Sequence, residues 1–278
     1  NNDGTINSTD ETSLGIRLGY MRFYNCQSDD TGGSYSSGCI SLRNAINTSY
    51  STINTTVQAE SAVGGTPIRS ALREAKLYLD AHKASDIAKN CRSKFVILIT
   101  DGADTFACSG DGTECDPHRY KNRRVDVAMV KELADAGYKV FVIGFGTAMP
   151  PYLKNTLNWM AFYGGTDDPS TANTGNTSAY GIVTGCSSTN TSACCSSSNE
   201  GACYPTGVTS CAADSTAVDG RCYDADHPYQ GDPNSGGVVT GSFKAGTNDP
   251  GYLDLAGYAF IAGSADELVA AVKAAINI

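Results

Sequence analysis

The stretch Lys94–Gly102, KFVILITDG, decides the fold. Its first seven residues, Lys94–Thr100, are mostly β-branched or otherwise apolar, which is typical of a strand buried on both faces of a parallel sheet. The strand is followed by Asp101-Gly102, a pair that favours a turn. A second run of the same kind, Lys139–Phe145 (KVFVIGF), predicts a parallel neighbour for the first strand.

Helical periodicity surrounds these two strands. Apolar residues recur every 3.6 positions in three segments, and a fourth helix is predicted over about Pro151–Tyr163. The periodic positions are Ile68, Ala71, Leu72, Ala75 and Leu79 in the first segment, Val125, Ala128, Met129, Leu133 and Ala136 in the second, and Leu268, Val269, Val272, Ala275 and Ile276 in the last. Alternation at Leu14, Ile16, Leu18 and Tyr20 predicts a further strand, and Tyr258–Ala262 a short final one.

Strands that alternate with helices predict an α/β fold with a doubly wound, mostly parallel sheet flanked by helices. In such a sheet ligands bind beyond the carboxyl ends of the strands. This rule directs attention to the loop that opens with Thr100, Asp101 and Gly102.

Composition excludes several classes of function. The 278 residues include 20 basic and 29 acidic side chains, a net charge of −9 that repels nucleic acid and anionic membranes. No run approaches the roughly 20 apolar residues of a membrane span, and no leader is recognisable at the start. We therefore expect neither a nucleic-acid-binding protein nor an integral membrane protein.

Residues 166–254 differ from the rest of the chain. They are rich in Ser, Thr, Gly and Asn, and their ten acidic and two basic residues carry most of the net charge. We interpret them as one acidic insertion stapled by disulfides. It lies between a predicted helix and a strand, so it is expected at the amino ends of the strands, away from Asp101.

Eleven cysteines favour export through an oxidising compartment, because no Cys-x-x-Cys pair offers a metal site. Cys26 with Cys39, and Cys108 with Cys115, could each close a local loop. Cys91 either pairs with an upstream cysteine or is a buried thiol beside the strand. The other disulfide candidates, whose pairing stays open, are Cys186, Cys194, Cys195, Cys203, Cys211 and Cys222.

Two fragments carry the candidate site, Gly64–Ile68 (GGTPI) at a helix start and Ile99–Gly102 (ITDG) at a strand end. In this order they resemble the second and third metal-binding segments of the von Willebrand factor type A domain, or integrin inserted domain. The resemblance covers most of residues 12–165 and 256–277. It implies a divalent cation, usually Mg²⁺, with the Thr66 hydroxyl and the Asp101 carboxylate as oxygen ligands and a partner's carboxylate completing the shell. Without metal, Thr66 would cap the helix ahead of Pro67, and Asp101-Gly102 would form an ordinary turn.

The family's first metal-binding segment, Asp-x-Ser-x-Ser, is absent from the 278 residues. The Mg²⁺ site is therefore incomplete in this chain. Either the domain is degenerate, or residues 1–278 are a single type A domain that lacks its first strand.

The first twelve residues resemble a calcium loop of the EF-hand or dockerin type with two residues missing. Gly4 would supply the sharp turn at its centre. The Ca²⁺ ligands would be Asn1, Asp3, Thr5, Asn7 and Asp10. Alternatively, these residues form an ordinary Asn-Asp-Gly turn in a polar tail and bind no calcium.

Nucleophile elbows, zinc-protease motifs and phosphate-binding loops are missing from the sequence, so we do not expect an enzyme. Tyr20–Asn25, Gly64–Leu72, Cys91 before the strand and Gly263–Leu268 together resemble the N-terminal domain of PilY-like tip adhesins of type IV pili. That resemblance implies a secreted module of a bacterial surface fimbrium. Its role would be cell adhesion or pilus assembly through a metal-ion-dependent site that binds a protein or surface ligand, with pilus subunits as further partners. The alternative is a structural subunit whose disulfide-rich insertion makes the contacts and whose metal site does not function.

Overall fold

The structure is a computed structural model that describes residues 6–24, 40–61, 64–104, 116–147, 149–182 and 250–277. This part of the chain has a mixed α/β fold. Its helices are α1 (Ser8–Leu14), α2 (Tyr50–Gln58), α3 (Ile68–Ser85), α4 (Asp116–Asp135), α5 (Pro151–Tyr163) and α6 (Ala265–Asn277). Its strands are β1 (Tyr20–Phe23), β2 (Ile40–Asn44), β3 (Lys94–Thr100), β4 (Tyr138–Phe145), β5 (Thr174–Gly175), β6 (Leu255–Ala256) and β7 (Phe260–Ala262).

The central sheet is parallel and has the order β3-β4-β7. In its register Ile99 lies opposite Ile143, and Ile143 lies opposite Phe260. The two neighbouring parallel strands expected from sequence are thus confirmed; β4 is largely buried as expected, whereas β3 is only partly buried, with Ile99 exposed. Strand β7 is shorter than the segment predicted for it and is held by Asn158 of α5, whose Oδ1 accepts hydrogen bonds from the backbone amides of Tyr258 and Ala259.

Helices cover both faces of this sheet. Successive side chains of a strand point to opposite faces, and in β4 Val140 and Val142 pack with α3, α4 and α5. Phe141 and Ile143 face the other way and pack with α6 and Phe260. The expected α/β architecture is confirmed at this level, and the helices predicted from periodicity form where the pattern places them.

The N-terminal strand prediction is wrong. Leu14 ends helix α1, and β1 begins only at Tyr20 and pairs antiparallel with β2. The physical reason is a capping box. The Asn7 side chain accepts hydrogen bonds from backbone amides of the first turn, and the Asp10 side chain accepts one from the Asn7 amide. Gly15, with φ of 63°, then ends the helix in the left-handed region that favours glycine.

The two ends of the acidic insertion belong to the packed domain. β5 and β6 pair antiparallel, and the Trp159 indole of α5 donates a hydrogen bond to the Leu253 carbonyl at 2.7 Å. Tyr180 is 2 % exposed against Trp159. The Thr166 hydroxyl donates to the Val140 carbonyl at 2.7 Å, so Thr166, the first residue of the predicted insertion, lies near the amino end of β4. Residues 183–249 lie outside the described residues.

None of the ten disulfide candidates lies within the described residues, so their pairing stays a prediction. Cys91 is described, and it is an exposed free thiol in the turn before β3. The idea that Cys91 is a buried thiol is therefore wrong.

In the described ranges no helix has both the length and the apolar character that crossing a bilayer requires.

Candidate metal centre

The carboxyl ends of the three parallel strands open into one cavity. β3, β4 and β7 end at Thr100, Phe145 and Ala262, so the residues that follow them meet at the same edge of the sheet. The cavity has a volume of about 450 Å³. It is lined by Asp101, Phe145, Gly146, Thr147, Met149, Pro150 and Gly263. Asp101 is exposed, and its carboxylate is therefore accessible to an ion from solvent.

Thr66 lies beside the turn that carries Asp101. Its Oγ1 is 3.3 Å from the point where a Cβ on Gly102 would stand. Any side chain at position 102 would press on this hydroxyl. The structure thus brings Thr66, just before α3, beside the turn at the tip of β3, as the sequence predicted, although Asp101 lines the cavity and Thr66 does not.

Thr100 fixes the shape of this turn. Its Oγ1 donates a hydrogen bond to the Gly102 carbonyl at 2.9 Å and accepts one from the Gly102 amide at 3.3 Å. Thr100 itself is 3 % exposed. A buried hydroxyl therefore fixes the backbone on both sides of Asp101. These two hydrogen bonds preorganise the position of the Asp101 carboxylate and do not involve the carboxylate itself.

Asp104 connects the turn to α3, and sequence reasoning missed it. Its carboxylate is 1 % exposed and accepts a hydrogen bond from the Arg69 backbone amide at 2.8 Å. The Asn122 side-chain amide of α4 donates to the Asp104 carbonyl at 3.1 Å. No local signal marks this residue, because its partners lie 35 and 18 positions away.

The start of α3 differs from the cap that the sequence suggested. The N-cap residue is Pro67, which provides no side-chain hydrogen bond, and the helix begins at Ile68. Asp104, from the loop after β3, supplies the acceptor that the first turn needs. A carboxylate at this position also interacts favourably with the positive end of the helix dipole. The reading of Thr66 as the N-cap, with Pro67 as the first helical residue, is therefore wrong.

Charged side chains are buried between α3, α4 and the loop that carries Asp104. Each of six is no more than 4 % exposed, and three are basic and three acidic. They are Arg69, Glu74, Asp104, Arg123, Arg124 and Asp126. Because a buried charge is costly unless it is paired, we expect these side chains to interact with one another or with backbone groups.

The N-terminal loop is described only from Ile6 onward, so Asn1, Asp3 and Thr5 lie outside the described residues. Asn7 Oδ1 accepts a hydrogen bond from the Thr9 amide at 2.8 Å, and Asp10 Oδ2 accepts one from the Asn7 amide at 2.9 Å. Both side chains therefore serve the start of α1, and calcium binding there stays a prediction.

Chemically, Thr66 offers a hydroxyl and Asp101 a carboxylate, both hard oxygen donors of the kind that Mg²⁺ and Ca²⁺ prefer. Among the described residues no group of three or more His, Cys, Asp or Glu side chains lies close enough to hold a metal ion. Two donors hold a strongly hydrated cation weakly, so most of its ligands would be water.

Comparison with family models, with curated proteins and with solved structures finds no match to this chain.

Proposed function

We propose that this chain is a von Willebrand factor A-like module of an exported bacterial surface protein, which serves in adhesion or pilus assembly. It would bind a protein or surface ligand through a divalent cation held by Thr66 and Asp101, rather than catalyse a reaction. The observation that carries the proposal is the position of the Thr66 hydroxyl beside the Asp101-Gly102 turn. Its supporting features are the parallel sheet, the fixed turn and the cavity at the carboxyl edge.

Each donor has a defined part in this proposal. Thr66 would contribute a neutral hydroxyl oxygen, and Asp101 would contribute negative charge, directly or through a water ligand. The cation would present its remaining positions to the cavity, where a carboxylate of the partner would enter. Arg69 and Asp104 would act through the backbone, since their hydrogen bond ties the start of α3 to the loop after β3.

The first test measures stabilisation by Mg²⁺. For a Kd of about 1 mM, about 10 mM Mg²⁺ stabilises the folded chain by about 1.4 kcal/mol, which calorimetry resolves. We expect Thr66→Val and Asp101→Asn each to abolish most of this stabilisation. Asp135→Asn, which removes an exposed carboxylate on α4, is the matched control. If Mg²⁺ stabilises Thr66→Val and Asp101→Asn as much as the control, the cation binds elsewhere and the proposed site is wrong.

The second test concerns the partner. Binding to purified type IV pili, or to a host surface, is expected to be lost with EDTA and restored by Mg²⁺, and to be weak in Asp101→Asn. Assembly of the chain into a surface filament that is insensitive to EDTA but is lost on reduction of the disulfides would instead support the structural-subunit alternative.

A further inference from the structure

The cavity at the carboxyl edge of the central sheet, here called the edge cavity, is larger than a hydrated cation requires. Its volume is about 450 Å³, and Asp101 lies in its wall. The roughly six ligands of a Mg²⁺ ion, at about 30 Å³ for each water, would take about 180 Å³. More than half of the edge cavity is therefore left for a group other than the cation.

The side chains around this remaining space are mostly apolar. Phe145, Met149 and Pro150 line the edge cavity, and Met149 is 7 % exposed and belongs to the hydrophobic core. Met149 packs directly on β4, because a Cβ on Gly144 would stand 2.7 Å from its Cε. The core thus extends to the wall of the edge cavity, and this wall suits an apolar side chain.

Backbone hydrogen bonds fix the walls in place. The Gly146 amide donates to the Ala262 carbonyl at 2.9 Å and joins the chain after β4 to the end of β7. The Pro150 carbonyl accepts hydrogen bonds from the amides of Leu153 and Lys154, each at 3.1 Å, at the start of α5. A pocket whose walls are already ordered loses little conformational entropy when a ligand enters it.

Two glycines keep the edge cavity open. A Cβ on Gly146 would meet no atom within 4 Å, and one on Gly263 would meet nothing closer than Glu267 Oε2 at 3.5 Å. Neither glycine has a positive φ, so the backbone does not demand glycine at either position. The missing side chains instead leave space into which a partner's chain can come close.

We propose that the edge cavity is a side-chain pocket of the adhesion site, and that it takes an apolar side chain of the protein partner beside the carboxylate that reaches the cation. This inference rests on the proposed function, because the cation at Thr66 and Asp101 would bind that carboxylate. It adds a second requirement to the partner, since an acidic residue alone would leave the apolar wall uncovered.

An extended segment of the partner can supply both groups. Residues two apart in an extended chain point to the same side and lie about 6.5–7 Å apart. Asp101, which would hold the cation, itself lines the edge cavity, so the cation and the pocket adjoin. The partner is therefore a segment with an apolar residue two positions from an aspartate or glutamate.

Nuclear magnetic resonance titration of the 278-residue chain with short peptides in Mg²⁺ buffer tests the pocket. The probe is acetylated and amidated Gly-Leu-Gly-Asp-Gly-Leu-Gly, which offers leucine on either side of the carboxylate. One control has glycine at both leucines, and the other has asparagine in place of aspartate. We expect the probe to bind about tenfold more tightly than the glycine peptide, since burial of a leucine side chain provides at least this factor. The asparagine peptide should bind at least tenfold more weakly than the probe.

Two variants of the chain locate the leucine. Gly146→Leu fills the edge cavity, so this variant should bind the probe and the glycine peptide equally. Gly181→Leu is the matched control, because a Cβ there also meets no atom within 4 Å. It should keep the tenfold preference. Circular dichroism checks that both variants fold, and the peptide pair on the unchanged chain decides the question even if Gly146→Leu does not.

Every other outcome overturns the pocket. Equal binding of the probe and the glycine peptide to the unchanged chain shows that no apolar side chain is recognised. A preference that persists in Gly146→Leu, or that needs neither Mg²⁺ nor the aspartate, places the leucine outside the adhesion site. Thermal stabilisation by Mg²⁺, measured on the same samples, separates the two proposals. If Mg²⁺ stabilises the chain but the peptides do not differ, only the pocket is wrong; if Mg²⁺ has no effect, the proposed function fails and the pocket fails with it.

Discussion

Replacement of Asp104 by alanine tests how the site is held. The Asp104 carboxylate is 1 % exposed and is the hydrogen-bond acceptor of the Arg69 amide at the first turn of α3. Asp104→Ala leaves this buried N–H without that acceptor. It also removes a negative charge from the positive end of an 18-residue helix.

The expected cost follows from these two losses. A buried hydrogen bond to a charged group contributes about 1.5–3 kcal/mol, and a charge near a helix terminus adds up to about 1 kcal/mol. We therefore expect Asp104→Ala to lower the free energy of unfolding by about 2–4 kcal/mol. At about 2–4 °C per kcal/mol, the thermal midpoint falls by roughly 5–15 °C. Asp104→Asn retains an oxygen acceptor without the charge and should cost about half as much.

The assay is urea unfolding followed by far-ultraviolet circular dichroism, with Asp135→Asn as the control. Asp135 pairs with Lys131 one turn away on the surface of α4, and its side chain is 64 % exposed, so its loss should cost no more than about 0.5 kcal/mol. An Asp104→Ala variant as stable as this control would refute the reasoning. If Asp104→Asn were as damaging as Asp104→Ala, the acceptor oxygen would not be the cause.

Two further predictions concern the turn and the acid stability. Gly102→Ala places a methyl carbon 3.3 Å from Thr66 Oγ1 and should weaken Mg²⁺ stabilisation, whereas Gly181→Ala, where nothing lies within 4 Å, should not; equal Mg²⁺ responses would contradict the site geometry. The hydrogen bond from Lys94, assisted by the Ala88 amide and the Arg92 charge, lowers the pKa of Asp86 from 3.8 to about 2. Asp86 therefore stabilises the fold fully above about pH 4, and this contribution is lost as the pH falls through about 2. Asp86→Asn should destabilise the chain at pH 7 and show a smaller loss of stability between pH 4 and pH 2; urea midpoints with an unchanged acid dependence would rule this out.

Much of the fold could be predicted because its elements are marked by local patterns. The apolar runs of β3 and β4 and the 3.6-residue period of α3 and α4 depend on residues close together in sequence. The position of the Asp101 turn at the carboxyl edge of the sheet also followed from sequence, whereas the meeting of Thr66 with this turn was expected only from the resemblance of the two fragments. The metal ligands themselves remain proposals.

Local patterns failed where two of them competed. Leu14, Ile16, Leu18 and Tyr20 alternate as in a strand, yet the capping box at Asn7 starts a helix that includes Leu14.

Sequence by itself determined the class of fold and the central strands, and it predicted the edge of the sheet at which a ligand would bind. Only the tertiary structure decided what holds that edge. Asp104 accepts a hydrogen bond from the start of α3, 35 residues away in sequence. Asn158 accepts hydrogen bonds from the amides just before β7, about 100 residues away. The physical reason is that secondary structure follows from neighbouring residues, whereas buried polar groups and strand edges find their partners only when distant segments pack.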